Sequence, residues 1–368
     1  MYKDEIEQKI NILKHKKDVF IVAFETSCDE TSAAVVKNGR EVLSNIVSSQ
    51  IDIHKRFGGV VPEVASRNHV EVIDNVLSEA LTKANIELKD IDAVAVTYGA
   101  GLIGALMVGV AYAKSLAYAL NVPLIAVNHI KAHIAANYIE SHTLPAAVPP
   151  LCFKAPETLS PPFIALVVSG GHTAILKVTD YTKSEFIGGT VDDAIGECYD
   201  KVARVLGLEY PGGPKIDKLA RTGNNNIKFT KHDGLKSSYD MSFSGLKTAV
   251  INYVHQAAPS PAGFADTIPD ICCSFQTEAV ESVVSRAIKA CKQFNMPKLT
   301  IAGGVAANSF LRERLTEECK ANNIELFLPQ MQYCTDNAAM IGALAYFDLL
   351  NDVGLADTDL NAVSNLPL

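Results

Sequence analysis

The chain has 368 residues, 48% hydrophobic and 20% charged, with a formal net charge of −8. That length allows two domains and a sizeable core, and the composition is that of a soluble globular protein. The acidic balance excludes nucleic-acid binding through overall positive charge, so such a partner needs a local basic patch or a helper subunit.

Residues 1–18 mix Lys, Asp and Glu with Ile6, Ile10 and Leu13, which reads as a short exposed helix and not a secretory segment. Acidic residues and the absence of Arg speak against a mitochondrial presequence, so a cytoplasmic protein is expected. Residues 19–24 form an apolar strand, Glu25-Thr-Ser-Cys-Asp-Glu-Thr31 an acidic turn, and residues 32–36 a second strand. Helical periodicity covers 64–83, a strand covers 91–96, and residues 101–120 form a small-residue helix. Gly, Lys or Tyr interrupts each long apolar stretch, so none makes a convincing membrane span.

The apolar run 122–127 leads straight into His129 and His133. Positions i and i+4 share a helix face, so both imidazoles could hold one metal at the end of a strand; two histidines meeting by chance is the plain alternative. Residues 141–162, rich in Pro, Thr and Ser, look like an exposed connection.

The opening design then recurs. Residues 163–168 are a strand, Ser169-Gly-Gly-His-Thr173 a turn and 174–178 a strand. Two such units suggest an internal duplication, with two similar lobes whose turns face each other across a cleft, although unrelated hairpins would look alike. Helices follow at 192–206 and 272–291, a strand at 299–302, a helix at 309–322, a strand at 325–328 and a helix at 338–350. Alternating strands and helices give an α/β class. The eight cysteines contain no C-x-x-C pair and read as reduced core or loop residues; Cys28 has no base beside it and is no nucleophile.

Ser169-Gly170-Gly171 lets backbone N–H groups approach an anion, or is simply a tight turn. Asp200 and Asp217 flank Tyr210-Pro-Gly-Gly-Pro214, where carboxylates can accept from ribose hydroxyls or stay solvated in a plain loop. Asn308, after Gly303-Gly304, could read an adenine edge or cap a helix. Asp336 could cap the last helix or complete a His–His–Asp set, which suits zinc or ferrous iron better than magnesium and leaves coordination positions open.

In their order along the chain these strings resemble the TsaD/Gcp family of tRNA N6-adenosine threonylcarbamoyltransferases. Further strings carry the likeness: Gly58-Gly-Val-Val-Pro-Glu63 with Ala65-Ser-Arg67, Gly196-Glu197 with Tyr199-Asp200-Lys201, Phe243-Ser-Gly-Leu-Lys247 and Thr335-Asp-Asn-Ala-Ala-Met340. The Gly58–Arg67 wording resembles the bacterial and mitochondrial branch. The resemblance implies a two-lobed actin-like ATPase (ASKHA) fold with duplicated β-sheet cores. An N-terminal extension would cover 1–18. The first lobe would cover 19–128, completed by the helix 338–350, and the second 129–337 with the nucleotide and metal motifs.

It also implies transfer of a threonylcarbamoyl group from threonylcarbamoyl-AMP to N6 of an adenosine beside the tRNA anticodon, in tRNAs reading codons that begin with A, with release of AMP. Carried over by position, His129, His133 and Asp336 would hold one Fe2+ or Zn2+. Val167, Val168, Ser169, Gly170, Gly171, Asp200, Gly213, Asp217 and Asn308 would bind the adenylate, or ATP, ADP or AMP. Asp29 and Glu30 are the candidates for positioning the amine or assisting proton removal. The implied partners are the tRNA anticodon loop and TsaB-like and TsaE-like subunits, with no membrane; a homodimer stays open.

Three positions depart from the family: Ala100 stands for a usual Pro, Lys131-Ala132 for a usual Glu-Gly, and 141–162 is longer. A metallopeptidase would need H-E-x-x-H, which Ile130 and Lys131 deny. A sugar kinase or ATPase on the same fold would need Mg–ATP and a carboxylate base, for which Asp29 could serve, and a non-catalytic scaffold is the third rival.

Overall fold

Ile6, Ile10 and Leu13 recur at helical spacing and form the buried stripe of α1 (Tyr2–Leu13). The segment expected as an exposed helix is therefore docked. Ion pairs Lys14–Asp352 (2.6 Å) and Lys16–Asp92 (2.6 Å) hold the turn that follows it. The computed structural model describes residues 2–140, 158–229, 238–257 and 261–367; residues 141–157, most of the expected connection, and Cys152 lie outside them.

Two compact units divide the chain, one of residues 1–160 with 335–368, the other of 161–334. The divisions at 128/129 and 337/338 expected from the sequence are displaced. His129, His133 and Asp336 all belong to the first unit, as does the N-terminal segment.

In chain order the first unit continues with β1 (Phe20–Glu25), β2 (Glu30–Lys37), β3 (Glu41–Ser49), a single turn α2 (Ile51–His54) and α3 (Pro62–Ala84). Then come β4 (Ala93–Gly99), α4 (Ile103–Leu120), β5 (Leu124–Asn128) and α5 (His129–Ala135). Pro62 opens α3, where its missing N–H costs nothing. Asn85 and Asn121, left-handed at φ 54° and 51°, end α3 and α4. By length and composition α4 alone among the described helices could cross a membrane. Its Ala105, Leu106, Gly109, Val110, Ala113 and Ala117 are buried within the unit. A Cβ at Gly109 would meet Thr26 Oγ1 at 2.4 Å, so glycine there lets α4 press on the acidic turn.

The second unit runs β6 (Phe163–Val168), β7 (Thr173–Asp180), β8 (Lys183–Gly189), α6 (Ile195–Val205), α7 (Gly212–Ala220) and α8 (Ser244–Ala257). It ends with α9 (Pro261–Gln293), β9 (Lys298–Ala302), α10 (Ser309–Ala321) and β10 (Glu325–Phe327). The chain then returns to the first unit as α11 (Ala338–Leu350) and β11 (Leu355–Ala356).

The sheet orders are β11-β5-β4-β1-β2-β3 and β10-β9-β6-β7-β8. Aligned on their hairpins they repeat one design. β1–β2–β3 and β6–β7–β8 are antiparallel, while β4 and β5 extend the first parallel to β1 as β9 and β10 extend the second parallel to β6. The duplication read from two hairpins thus holds for five strands. The central strands are apolar along their length because helices cover both sheet faces; Val22 and Phe24 pack with Ile73 and Val110, and Ile164 and Leu166 with Phe275 and Val280.

Four elements depart from the sequence expectation. The edge strands β3 and β8 are half exposed and carry too little apolar alternation to stand out. α9 begins at Pro261 instead of 272 and runs through Pro269, a residue that ordinarily ends a helix. Its carbonyl is approached closely by Gly223, where a Cβ would lie 2.0 Å from Pro269 O. α6 begins at Ile195 instead of 192, because Asp192 turns away to accept N–H bonds from Phe243 (2.8 Å) and Ser244 (3.2 Å) at the start of α8.

Candidate metal centre and glycine turns

Asn128 ends β5 and caps α5, its side chain accepting from the N–H groups of Ile130 and Lys131. That fixes the helix start one residue before His129, and places His129 and His133 on one face with ring centroids 4.7 Å apart. The third group arrives from the far end of the chain. Ser32 Oγ accepts from Ala338 N (2.9 Å) and Asn45 Oδ1 from Ala339 N (3.2 Å), so β2 and β3 hold the first turn of α11. The cap of α11 is Asn337, not Asp336. Asp336 is thereby left to the histidines, with Oδ1 3.2 Å from His133 Nε2 and 3.6 Å from His129 Nε2.

The three side chains can each offer one ligand atom, all within 4.8 Å of one another. His133 is 1% exposed, and neither of its ring nitrogens has a hydrogen-bond partner. A buried imidazole with no partner is costly unless something else takes its lone pair. Two imidazoles and a carboxylate are the donor set that zinc or ferrous iron accepts, so the residues fit a metal.

His129 differs from His133. Its Nδ1 lies 3.0 Å from Glu25 Oε2 and 3.2 Å from Ser27 Oγ. Burial works against its positive charge, but Glu25 and then Asp336 outweigh burial and push it up to about 9. Glu25 is fully buried; burial would raise it, yet the adjoining His129 more than offsets this and holds it below its usual value. Asp29 is buried, with Oδ2 unpaired. Burial, then Asp336 and Asp29, push Glu30 up to about 9. Of the two acidic candidates, Asp29 is the one with a buried oxygen that lacks a hydrogen-bond partner. Burial, then Asp29 and Asp336, also raise the Cys28 thiol, which accords with an unreactive side chain.

In the second unit the chain after β6 makes the glycine turn. Added Cβ atoms at Gly170 and Gly171 would meet nothing within 4 Å, so the turn is open on that side. Behind it the packing is close: a Cβ on Gly196 would lie 2.6 Å from Ser169 O, and one on Gly303 2.5 Å from Val168 O. Gly303 also has φ +93°, a conformation suited to glycine. The start of α6 is joined to the turn by Gly196 N–H to Ser169 O (3.2 Å) and Glu197 N–H to Gly170 O (3.1 Å). Val167 and Val168 are buried in β6.

Asp200 Oδ1 accepts from Gly212 N (2.8 Å), which fixes the turn carrying Gly213, where an added Cβ would meet nothing within 4 Å. Asp217 accepts from Ser309 N (3.1 Å), Ser309 Oγ (2.9 Å) and Gln276 Nε2 (3.2 Å). Asn308 uses its oxygen to cap α10 through Leu311 N and its amide nitrogen to reach Gln276 Oε1 (2.8 Å). The paired donor and acceptor expected for an adenine edge are thus already engaged, and helix capping accounts for much of Asn308.

Sequence reasoning missed Glu25, Gln276 and Gly196 as site residues. Glu25 carried one signal, a carboxylate ending a wholly apolar strand. Gln276 lies inside a long helix and carried none.

A family model described as TsaD, tRNA N6-adenosine threonylcarbamoyltransferase, matches residues 41–343. A protein of that name from Clostridium kluyveri is 52% identical over 96% of this chain and 98% of its own length. Relatives with the same name from Clostridium botulinum (Kyoto) and Clostridium novyi are 52% and 53% identical, over 96% of this chain and 99% and 98% of theirs. Among solved structures, full-length HypF in its phosphate- and nucleotide-bound form covers 90% of this chain and 46% of its own, with TM-score 0.57 and 16% identity. HypF from T. kodakarensis covers 91% and 48%, with the same TM-score and identity. That likeness establishes the fold alone, an actin-like α/β architecture with two sheets. By its family match and by relatives alike over nearly its whole length, the chain belongs to the TsaD family of tRNA N6-adenosine threonylcarbamoyltransferases.

Proposed function

We propose that the protein transfers the threonylcarbamoyl group of threonylcarbamoyl-AMP to N6 of the adenosine beside the anticodon in tRNAs reading codons that begin with A. The N6 amine attacks the carbamoyl carbon, the bond from that carbon to the phosphate oxygen breaks, AMP leaves, and the amine gives up one proton. The observation that carries the proposal is the His129–His133–Asp336 cluster, with a buried His133 lacking any other partner, in a chain of this family.

These three residues would hold one Zn2+ or Fe2+, which when bound would supply Lewis-acid polarisation of a carbonyl oxygen and so a better acyl electrophile. In this proposal Ser169, Gly170 and Gly171 direct backbone N–H groups at the phosphate, whose charge grows as AMP departs. Val167 and Val168 form the buried strand behind that turn, and Asp200 sets the turn bearing Gly213. Asp217 takes the nucleoside end, and Asn308, committed to its cap and to Gln276, holds that wall in place. Asp29, with its unpaired Oδ2, accepts the amine proton, while Glu30, held by Ser49, helps position the amine.

The target adenine must be splayed from its loop before it can react. With a net charge of −8 the chain gains from companions in binding tRNA, and TsaB-like and TsaE-like subunits are the partners proposed. A cytoplasmic location suits a tRNA-modifying enzyme. The test supplies threonine, bicarbonate, ATP, an adenylate-forming enzyme, unmodified tRNA and those companions, and seeks threonylcarbamoyladenosine by mass spectrometry. Product with the wild type and none with His129→Ala is expected; equal product from both would overturn the proposal.

A further inference from the structure

In the first sheet β5, β4 and β1 are neighbours in that order, and the carboxyl ends of these parallel strands carry His129, Thr97 and Glu25. A chain of hydrogen bonds crosses them. Thr97 Oγ1 donates to Glu25 Oε2 (2.6 Å), the same oxygen lies 3.0 Å from His129 Nδ1, and Ser27 N donates to Glu25 Oε1 (2.5 Å). Glu25 is fully buried, and its described partners are Thr97, His129 and Ser27. None of them is a Lys or Arg. A carboxylate there has one evident use, which is to accept the Nδ1 proton of His129.

We propose that Glu25 is a positioning residue for the metal centre: it holds the proton of His129 on Nδ1 and so keeps Nε2, the nitrogen facing Asp336, free as a ligand. Its role presupposes the metal centre proposed above. Carboxylate partners behind ligating histidines fix both tautomer and ring orientation, and losing one typically weakens metal binding about 10–100-fold. His133 has no such partner, so the pair is asymmetric and the burden of orientation falls on His129.

The substitution Glu25→Gln tests this with little change of shape. Ser27 N–H requires an acceptor, so the amide oxygen turns to it and the NH2 group faces His129 Nδ1. That ring must then accept at Nδ1 and carry its proton on Nε2, where a metal would bind. The full-length protein is titrated with Zn2+ against a chromogenic chelator, and long-range proton–nitrogen NMR of the zinc-loaded protein reports the histidine tautomers. A zinc Kd about 10–100-fold weaker in E25Q is expected, with Glu25→Asp in between, and His129 of the wild type protonated at Nδ1 and bound through Nε2. Equal zinc affinity in E25Q, or wild-type coordination through Nδ1, would overturn the role of Glu25 and leave the metal centre standing. A wild type that binds no zinc would remove the metal centre and this role with it. Should E25Q fail to fold, the wild-type tautomer decides alone.

Discussion

The two units share a five-strand design, but they finish its strand ends with different chemistry. From the last residue of β1 to the first of β2 the chain places Glu25, Asp29 and Glu30, and after β5 it places His129; after β6 and β9 it places Ser169-Gly-Gly and Gly303-Gly. One unit gathers side chains that could grip a cation. The other clears side chains away, leaving backbone N–H groups and open space. A repeated scaffold thus fixes where chemistry can sit, while the residues at each strand end choose its kind.

Removing the cation grip should have the largest effect. Asp336→Ala or His133→Ala is expected to lower zinc affinity by more than the roughly 10–100-fold that outer partners cost, and to abolish adenosine modification. Binding of AMP, measured by calorimetry, should persist, since its proposed residues lie in the other unit. Loss of both together would break the division of labour.

Crowding the glycine turn is the converse experiment. Gly196→Ala puts a Cβ 2.6 Å from Ser169 O, too close for either atom to stay, and overpacking of this kind costs about 1–3 kcal/mol. A lower melting temperature is expected, with AMP affinity down about tenfold (~1.4 kcal/mol) and zinc affinity unchanged. Gly170→Ala sharpens the point, because a Cβ there meets nothing in the free protein. Its melting temperature should match the wild type while AMP binding weakens. Unaltered AMP affinity would mean that no ligand approaches Gly170.

The smallest effect on binding and activity concerns the helix covering the first sheet. Burial raises Asp348 in α11 to about 7, against about 3.9 in an unfolded chain. A carboxyl raised on folding binds its proton more tightly in the native state, so its stabilisation is present at low pH and is lost as pH rises from about 4 to 7. Asp348→Asn should therefore match the wild type near pH 4 and exceed it by up to about 4 kcal/mol near pH 8, by urea denaturation. Equal stability at both values would refute the burial cost.

Much of this was legible in the residues. The apolar runs of β1, β4, β6 and β9 reported strands covered on both faces, and the five-strand repeat showed through its two hairpins. His129 and His133 announced themselves by spacing alone. The edge strands β3 and β8 did not, since half-exposed strands lack a strong apolar signal. Whether Asp336 or Asn337 capped α11 could not be read, because both residue types cap well; tertiary bonds from Ser32 and Asn45 set the helix start. Glu25 was beyond reach for a similar reason. Its partners Thr97 and His129 lie 72 and 104 residues away, and only the strand order brings them together.

The first unit is also discontinuous, broken by the whole of the second and closed by α11. During synthesis His129 and His133 leave the ribosome well before Asp336. At about 5–20 residues per second, the delay is on the order of ten seconds or more. For that interval a nascent chain has two imidazoles without their carboxylate, and the helix that seats Asp336 does not yet exist. If the three residues hold an ion as proposed, its loading would be a late event in the protein's biogenesis, and a polypeptide truncated before Asp336 would lack a complete centre.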